Sequence, residues 1–551
     1  MSAESVTQRR GYGWAVTRRT IFTNAAHPAG VGGPIQIIVA GGRIESIATA
    51  DIAATPGSDD EVIDAGGNSV LLAFGDGHAH PQFGGIEDEF APVRGHESIA
   101  ATVDAVRVYA ASHPDESWIQ GWGYDPSLVP DGVFQASWLD EAVSDRPVAL
   151  RGTDYHTVWC NSMALAAGGI AKGSPDPNDG EIVRDDDGNP VGTLREWGAT
   201  NLVLDQLPVL ARDRRVAALD RASKKMAATG LTWVQDAWVE PDDVATYIAA
   251  LQAGALNVRF NLALRAEPGA WTPQVDQFVG LKALVDAEDS DGWLTATTVK
   301  FFADGVIEGG TASMLTAYSD CPCNHGIANW QADDIATAVT AFDAASFQIH
   351  IHAIGDAGIR MALDALEAAQ NANGSRDRRS VITHVQVVDP QDCPRFAALG
   401  VIANFEPLWA QLDSLQRVLT LPRLGERGDL QYPMRTLLHS GTPVSFGSDW
   451  PVSDYSPLPG IATAVTRQTV DAYPDGGWLP HESLTLDEAI AAYTTGSAFQ
   501  AFRDDVGMGA GMVADLILLD ADVKAVEPLV LHQVKVVGTW LAGKRIYTAE
   551  P

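Results

Sequence analysis

Between about residues 71 and 504 the chain alternates short apolar runs with longer stretches in which apolar positions recur every three or four residues. "SFQIHIHAIGD" is such a run, and "AGIRMALDALEAAQNAN" follows it with Ile359, Leu363 and Leu366 at helical spacing. "RRSVITHVQVV", "GVIANFEP" and "TPVSFGSDWP" repeat the theme, with helix-like sequence between them. Repeated strand–helix units of this size predict a parallel sheet, either a barrel or a doubly wound sheet. Nine candidate strands can be picked out, including "RPVALRGTD", "GLTWVQDA", "NVRFNLALR" and "TTVKFFADG", and one of the nine is expected to belong to an insertion. Residues 83–225 and 305–332 carry long Gly- and Pro-containing stretches without this rhythm, and are the insertion candidates. The two ends of the chain read differently. "AVTRRTIFTN", "PIQIIVAGGRIESIATA" and "EVIDAGGNSV" near the start, and "ADLILLDADV" and "VKVVGTWLAGKRIYTAEP" near the end, are short β segments with Gly turns. A small sheet unit built from residues 1–70 and 505–551 together is expected, beside a body spanning 71–504.

Composition narrows the partners. A chain of 551 residues is too long for one simple core. Its 46% hydrophobic content is that of a soluble globular protein. With 37 Lys+Arg against 71 Asp+Glu the formal net charge is −34, which repels phosphate backbones and argues against a nucleic-acid partner. Four cysteines do not make a disulfide framework, and no second cysteine pair completes a soft-metal site with the "CPC" at 321–323. The first twenty residues lack an apolar leader core, and no apolar run approaches membrane-spanning length, so a cytoplasmic protein without membrane attachment is expected. A small molecule is the expected partner, and a homo-oligomer such as a dimer is left open.

The chemistry gathers at the ends of the apolar runs. In "FGDGHAHP" (74–81) extended chain would put Asp76, His78 and His80 on one face, either as half of a metal site or as hydrogen-bonded core histidines. "TTVKFFADG" puts Lys300, Phe302 and Asp304 on one face, and a lysine inside a strand of this kind is costly unless paired or modified. "QIHIHAIGD" aligns Gln348, His350 and His352; "VITHVQ" aligns Ile382, His384 and Gln386; "VSFGSDWP" aligns Ser445, Gly447 and Asp449. Apart from the unit around Glu406, successive units each deliver a ligand-type residue to the same end, where a β/α barrel carries its chemistry. His350, two residues deeper than His352, reads as a hydrogen-bonded interior group. His156 in "DYHTVW" reads equally as a substrate contact or as packing.

The ordered series HxH, Lys, His, His, Asp resembles the metal-dependent amidohydrolase superfamily. "DGHAHP", "VKFFADG", "HAIGDAG", "THVQ" and "FGSDWPV" look like its amidohydrolase-3 branch, which includes the YtcJ-like proteins and the N-substituted formamide deformylases. "RGTDYHTVWCNSMAL", "GTLREWGA" and "GMGAGMVADLILLDADV" extend the resemblance over nearly the whole chain. The resemblance implies a (β/α)8 TIM-type barrel with insertions and a small β-sandwich from both termini. It implies two divalent metal ions, zinc being the expected element. His78 and His80 would bind the more buried ion, a carboxylated Lys300 would bridge the two, and His352 and His384 would bind the second. Asp449 would bind the first ion and carry protons. His156 would meet the substrate or transition state. Glu196 and Asp304 are expected to orient ligands, and Trp450 to belong to the second shell or to the substrate pocket. The implied reaction is hydrolysis of a C–N amide-type bond, an N-formyl or N-acyl amine with a bulky or aryl group, by metal-bound hydroxide. A deaminase and a cyclic amide or ester hydrolase are the alternatives, and Lys300 argues against the deaminase.

Overall fold

The computed structural model describes residues 18–550 except 29, 31, 50, 51, 178 and 290. Residues 1–17, which include most of the N-terminal stretch and the first residues of "AVTRRTIFTN", lie outside the described residues.

Eight parallel strands form one sheet in unbroken sequential order, curling into a barrel. They are β1 (Phe74–Ala79), β2 (Leu231–Val239), β3 (Arg259–Arg265), β4 (Leu294–Phe302), β5 (Gln348–Ala353), β6 (Val381–His384), β7 (Ile402–Phe405) and β8 (Val444–Phe446). Helices such as Val244–Ala253, Ala332–Ala344 and Asp356–Asn373 return the chain between strands. The last of these buries Ile359, Leu363 and Leu366, the residues whose spacing predicts it. Every strand is buried on both faces over most of its length, as parallel sheets require.

β1 and β8 meet at the seam of the barrel. Asp76 accepts the backbone N–H of Ser448 at 3.0 Å and its hydroxyl at 2.5 Å, and the Asp449 N–H donates to the His78 carbonyl at 2.7 Å. Gly447 leaves no room for a side chain there: a Cβ would stand 2.8–2.9 Å from His78 backbone and side-chain atoms.

"RPVALRGTD" is the ninth strand. Val148–Gly152 belongs to a five-stranded sheet in the insertion after β1, with Ile119–Tyr124, Thr157–Cys160, Glu181–Arg184 and Pro190–Arg195. The insertion thus carries a sheet with mixed pairing and apolar clusters of its own, although its sequence has no strand–helix rhythm.

Two four-stranded sheets come from the chain ends. One contains Thr20–Ala25, Ile35–Ala40, Arg43–Thr49 and Glu61–Asp64; the other joins Val70–Leu72 to Leu516–Leu519, Val536–Leu541 and Lys544–Thr548. Phe22, Ile37 and Val39 of the first share one apolar cluster with Leu72, Leu516 and Trp540 of the second. Beneath them, buried Asp515 accepts from Arg259 of β3 at 2.6 Å and from Arg503 at 2.8 Å. Among the described residues, no helix is long and apolar enough to cross a membrane.

Candidate metal centre

The C-terminal ends of the barrel strands bring together His78 and His80 (β1), Lys300 (β4), His352 (β5), His384 (β6) and Asp449, three residues past β8. Asp449 Oδ1 lies 2.8 Å from His80 Nε2 and 3.3 Å from His78 Nε2. His78, His384 and Asp449 each offer a ligand atom within 4.8 Å of the other two, so this group could hold a metal ion. The His384 ring centre is 4.5 Å from that of His352 and 4.9 Å from that of His78. Lys300 is fully buried, its Nζ has no hydrogen-bond partner among the described residues, and it sits 4.6 Å from the Phe302 ring centre.

Burial sets the electrostatics. It pushes Lys300 down to about 7 and His384 down to about 3, and holds His78 and His352 well below the ordinary imidazole range. The imidazoles are therefore neutral, the form that binds metals. Burial would raise the Asp449 carboxyl, but its hydrogen bond with His80, together with the nearby His384 and Lys300, outweighs it and holds it below its usual value.

Three of the imidazoles are oriented from behind, whereas His80 Nδ1 has no partner among the described residues. His78 Nδ1 is 2.8 Å from His350 Nε2, which gives His350 the hydrogen-bonded interior place expected for it. His384 Nδ1 is 2.9 Å from Glu406 Oε2, and its ring stacks on Trp409 at 5.2 Å. His352 Nε2 lies 3.2 Å from the Gly305 carbonyl oxygen and 3.7 Å from Asp304 Oδ1. Asp304 accepts backbone N–H groups from Ser313, Ile354 and Gly355 at 2.9–3.0 Å, tying the loops after β4 and β5 together. Burial nevertheless pushes its carboxyl up to about 7. Glu406 escapes the sequence reading because it stands just past its strand and acts on a neighbour from another strand. Its place as the seventh unit's terminal acid, facing the ligand series, was the available signal.

His156 arrives from the insertion. Its Nδ1 is 2.8 Å from Glu196 Oε2, and Glu196 also accepts the Thr311 hydroxyl. Burial opposes protonation of His156, but the Glu196 charge and hydrogen bond win and raise it above the ordinary value. Glu196, His384 and Asp449 have φ of 60°, 74° and 52°, conformations that cost non-glycine residues energy and collect at functional sites.

Two connected spaces reach this centre. An inner recess of about 20 Å³ is walled by His78, His80, Tyr155, Trp197, Trp238 and Phe302 among others. It shares His156, His352, His384 and Asp449 with an outer cavity of about 370 Å³. Trp450 lines neither: its indole packs over Gly84 and Tyr455, and its link to the centre is its carbonyl, which accepts the His80 N–H at 2.7 Å. Trp409 faces the outer cavity and Trp197 the recess, whereas Tyr124 and Trp159 are core.

A barrel with histidines, a buried lysine and an aspartate at its strand ends is the form of a metal-dependent hydrolase. The family model "Amidohydrolase family" matches residues 61–547, and the chain belongs to that family. Over 97% of its length it is 29% identical to Protein LONG AFTER FAR-RED 3 of Arabidopsis thaliana, covering 91% of that protein. It is 28% identical to the putative amidohydrolase YtcJ of Bacillus subtilis over 88% of this chain and 90% of that one. It is also 28% identical to the N-substituted formamide deformylase of Arthrobacter pascens, over 92% of this chain and 94% of that enzyme. The crystal structure of an uncharacterized metal-dependent hydrolase from Pyrococcus horikoshii has the same fold, with a TM-score of 0.70 at 20% identity over 93% of this chain and 99% of that one.

Proposed function

We propose that this enzyme adds water across a C–N amide-type bond, releasing a carboxylic acid and an amine from an N-formyl or N-acyl amine. The observation that carries the reading is the donor set around Asp449: neutral imidazoles, an ionised carboxylate and a buried lysine amine with no partner. A divalent ion fits these residues. An unpaired buried ammonium is costly, and N-carboxylation of Lys300 (amine plus CO2 giving a carbamate and a proton) turns it into an anionic oxygen ligand. His78, His80 and Asp449 would hold one ion, His352 and His384 a second, and carboxylated Lys300 would bridge them, with zinc suited to such nitrogen and oxygen donors. When bound, such ions supply an acidified water and an electrophile for the substrate carbonyl.

The rest of the chemistry belongs to the chain. Asp449, ionised beside His80, accepts a proton from the water and returns it to the leaving nitrogen. His156, held through Nδ1 by Glu196, keeps Nε2 for a hydrogen bond to the carbonyl oxygen as negative charge grows there. Glu406, His350 and Asp304 hold the other side chains in register. The name of the deformylase relative supports the N-formyl class.

A panel of formamides, N-acyl amines, cyclic amides, esters and aminopurines, with elemental analysis of the same preparation, tests this. Amine release from the first two classes with about two metal equivalents per chain is the expected result. Ammonia release from aminopurines alone, or a ceiling of one equivalent after reconstitution with metal and bicarbonate, would overturn it.

A further inference from the structure

The outer cavity has no lysine or arginine in its wall. Asp125, Asp154, Glu308, Asp413 and Asp454 face it besides Asp449. Three smaller or shallower spaces elsewhere in the molecule each include an arginine (Arg265, Arg503 and Arg376), so the chain's acidity alone does not account for this wall. Each of three acids is fixed by a donor of its own surroundings: Asp125 by the Ser127 N–H at 2.8 Å, Asp413 by the Gln416 N–H at 2.9 Å, and Glu308 by the Thr420 hydroxyl. Among the described residues, none of these five carboxylates is in an ion pair. The nearby Arg423 is bound to Asp320 at 3.1 Å, and the Arg417 Nε is bound to the Asp413 backbone carbonyl at 3.1 Å.

A second, independent feature points to the same ligand chemistry. Gln416 is 3% exposed and lines the cavity. Its Nε2 donates to the Tyr432 hydroxyl at 3.4 Å, while its Oε1 has no partner. A buried, unpaired amide oxygen is destabilising until a donor reaches it. The wall therefore offers carboxylates and one unpaired amide oxygen, with neither lysine nor arginine among the described residues that line it. Burial raises the Asp413 and Glu308 carboxyls above their usual range, and the charges of Asp125 and Asp154 add to this, which a bound cation would reverse.

We propose that this wall binds a positively charged, N–H-bearing group on the amine side of the substrate, so that the preferred substrates are N-formyl or N-acyl amines carrying a second amino or guanidino group. The inference rests on the hydrolase reading above for its acyl half. The cation half is testable without turnover.

The first measurement compares kcat/KM of the metal-loaded enzyme on three matched formamides: monoformyl 1,4-diaminobutane, N-butylformamide and 4-formamidobutanoate. The cationic compound should exceed the neutral one by tenfold or more, and the anionic one should be poorest. Raising ionic strength should narrow the gap. Glu308→Gln and Asp413→Asn should each lower kcat/KM for the cationic substrate at least threefold more than for the neutral one, mainly through KM. The second measurement is calorimetric binding of n-butylguanidinium, a cation that is a poor metal ligand, against 1-pentanol. One cation should bind per chain, and the double variant should lose it.

Guanidinium binding without hydrolysis of any formamide or N-acyl amine would sink the hydrolase reading and keep the cation site. Hydrolysis without charge preference, together with absent guanidinium binding or binding that survives in the double variant, would sink the cation site and keep the hydrolase. Hydrolysis of none and binding of none would sink both.

Discussion

Asp449 sits at φ 52°, in the left-handed region where Asp and Asn are the least strained of the non-glycine residues. Asp449→Asn therefore changes the chemistry and leaves the backbone alone. If the carboxylate moves a proton, kcat should fall by about 10²–10⁴-fold. KM should change less, because the group acts after binding. Full turnover with full metal content would reject the assignment. Lys300 gives the matching test of metal retention. Lys300→Ala should lose most bound metal and activity while the circular dichroism stays that of a barrel, and added formate should restore part of both by filling the space of the missing carboxylate. At this scale the sequence was informative wherever alternation along a strand sorts side chains. His78, His352 and Lys300 over Phe302 follow from period two within a run, whereas His384, at φ 74°, leaves the extended backbone that the alignment of Ile382, His384 and Gln386 requires, and Ile382 packs in the apolar core. Contacts between elements left no such trace. The Glu406–His384 and Glu196–Thr311 bonds join residues 22 and 115 positions apart, and no local pattern encodes them.

The seam between β1 and β8 decides whether the single-residue chemistry is assembled at all. His78 and His80 ride on one strand and Asp449 follows the other, so their 2.8–3.3 Å contacts depend on how closely the two strands approach at Gly447. Gly447→Ala places a methyl against the His78 backbone. Overpacking of this kind typically costs about 1–3 kcal/mol. The expected outcome is a lowered melting temperature and, more tellingly, reduced metal content at unchanged His, Lys and Asp composition. Unaltered metal stoichiometry would mean that the seam tolerates the shift. The barrel elements were legible because each strand–helix unit repeats the same apolar rhythm. Of the insertion sheet only Val148–Gly152 was, because its strands are four to six residues long and pair both parallel and antiparallel. Period alone cannot tell such strands from loops.

At the scale of the whole molecule, Asp515 fastens the sheets from the chain ends to the barrel floor. Asp515→Asn would leave buried Arg259 without its ion-pair partner and Arg503 with only the more distant Asp505 at 3.8 Å, a loss of up to about 3–5 kcal/mol for a broken buried pair. Thermal unfolding at pH 7 should report it as a clear fall in melting temperature. Burial alone would raise this carboxyl, but Arg259 and Arg503 hold it below its usual range. Its contribution is therefore complete above the unfolded value of about 3.9 and is lost as pH falls through the lower folded value. The gap between wild type and variant should close in strong acid, and a gap independent of pH would contradict the ion-pair account. The pairing of Val70–Leu72 with Leu516–Leu519 has a consequence during synthesis. These partners lie more than four hundred residues apart in the chain. On the ribosome, Phe22, Ile37 and Val39 must wait for most of the protein to be made before Leu516 and Trp540 can cover them. β1 likewise waits for β8, so the metal centre is among the last parts of the nascent chain to form. Until then its sticky early strands are exposed to aggregation, and a holding chaperone has the longest time to act on the first seventy residues.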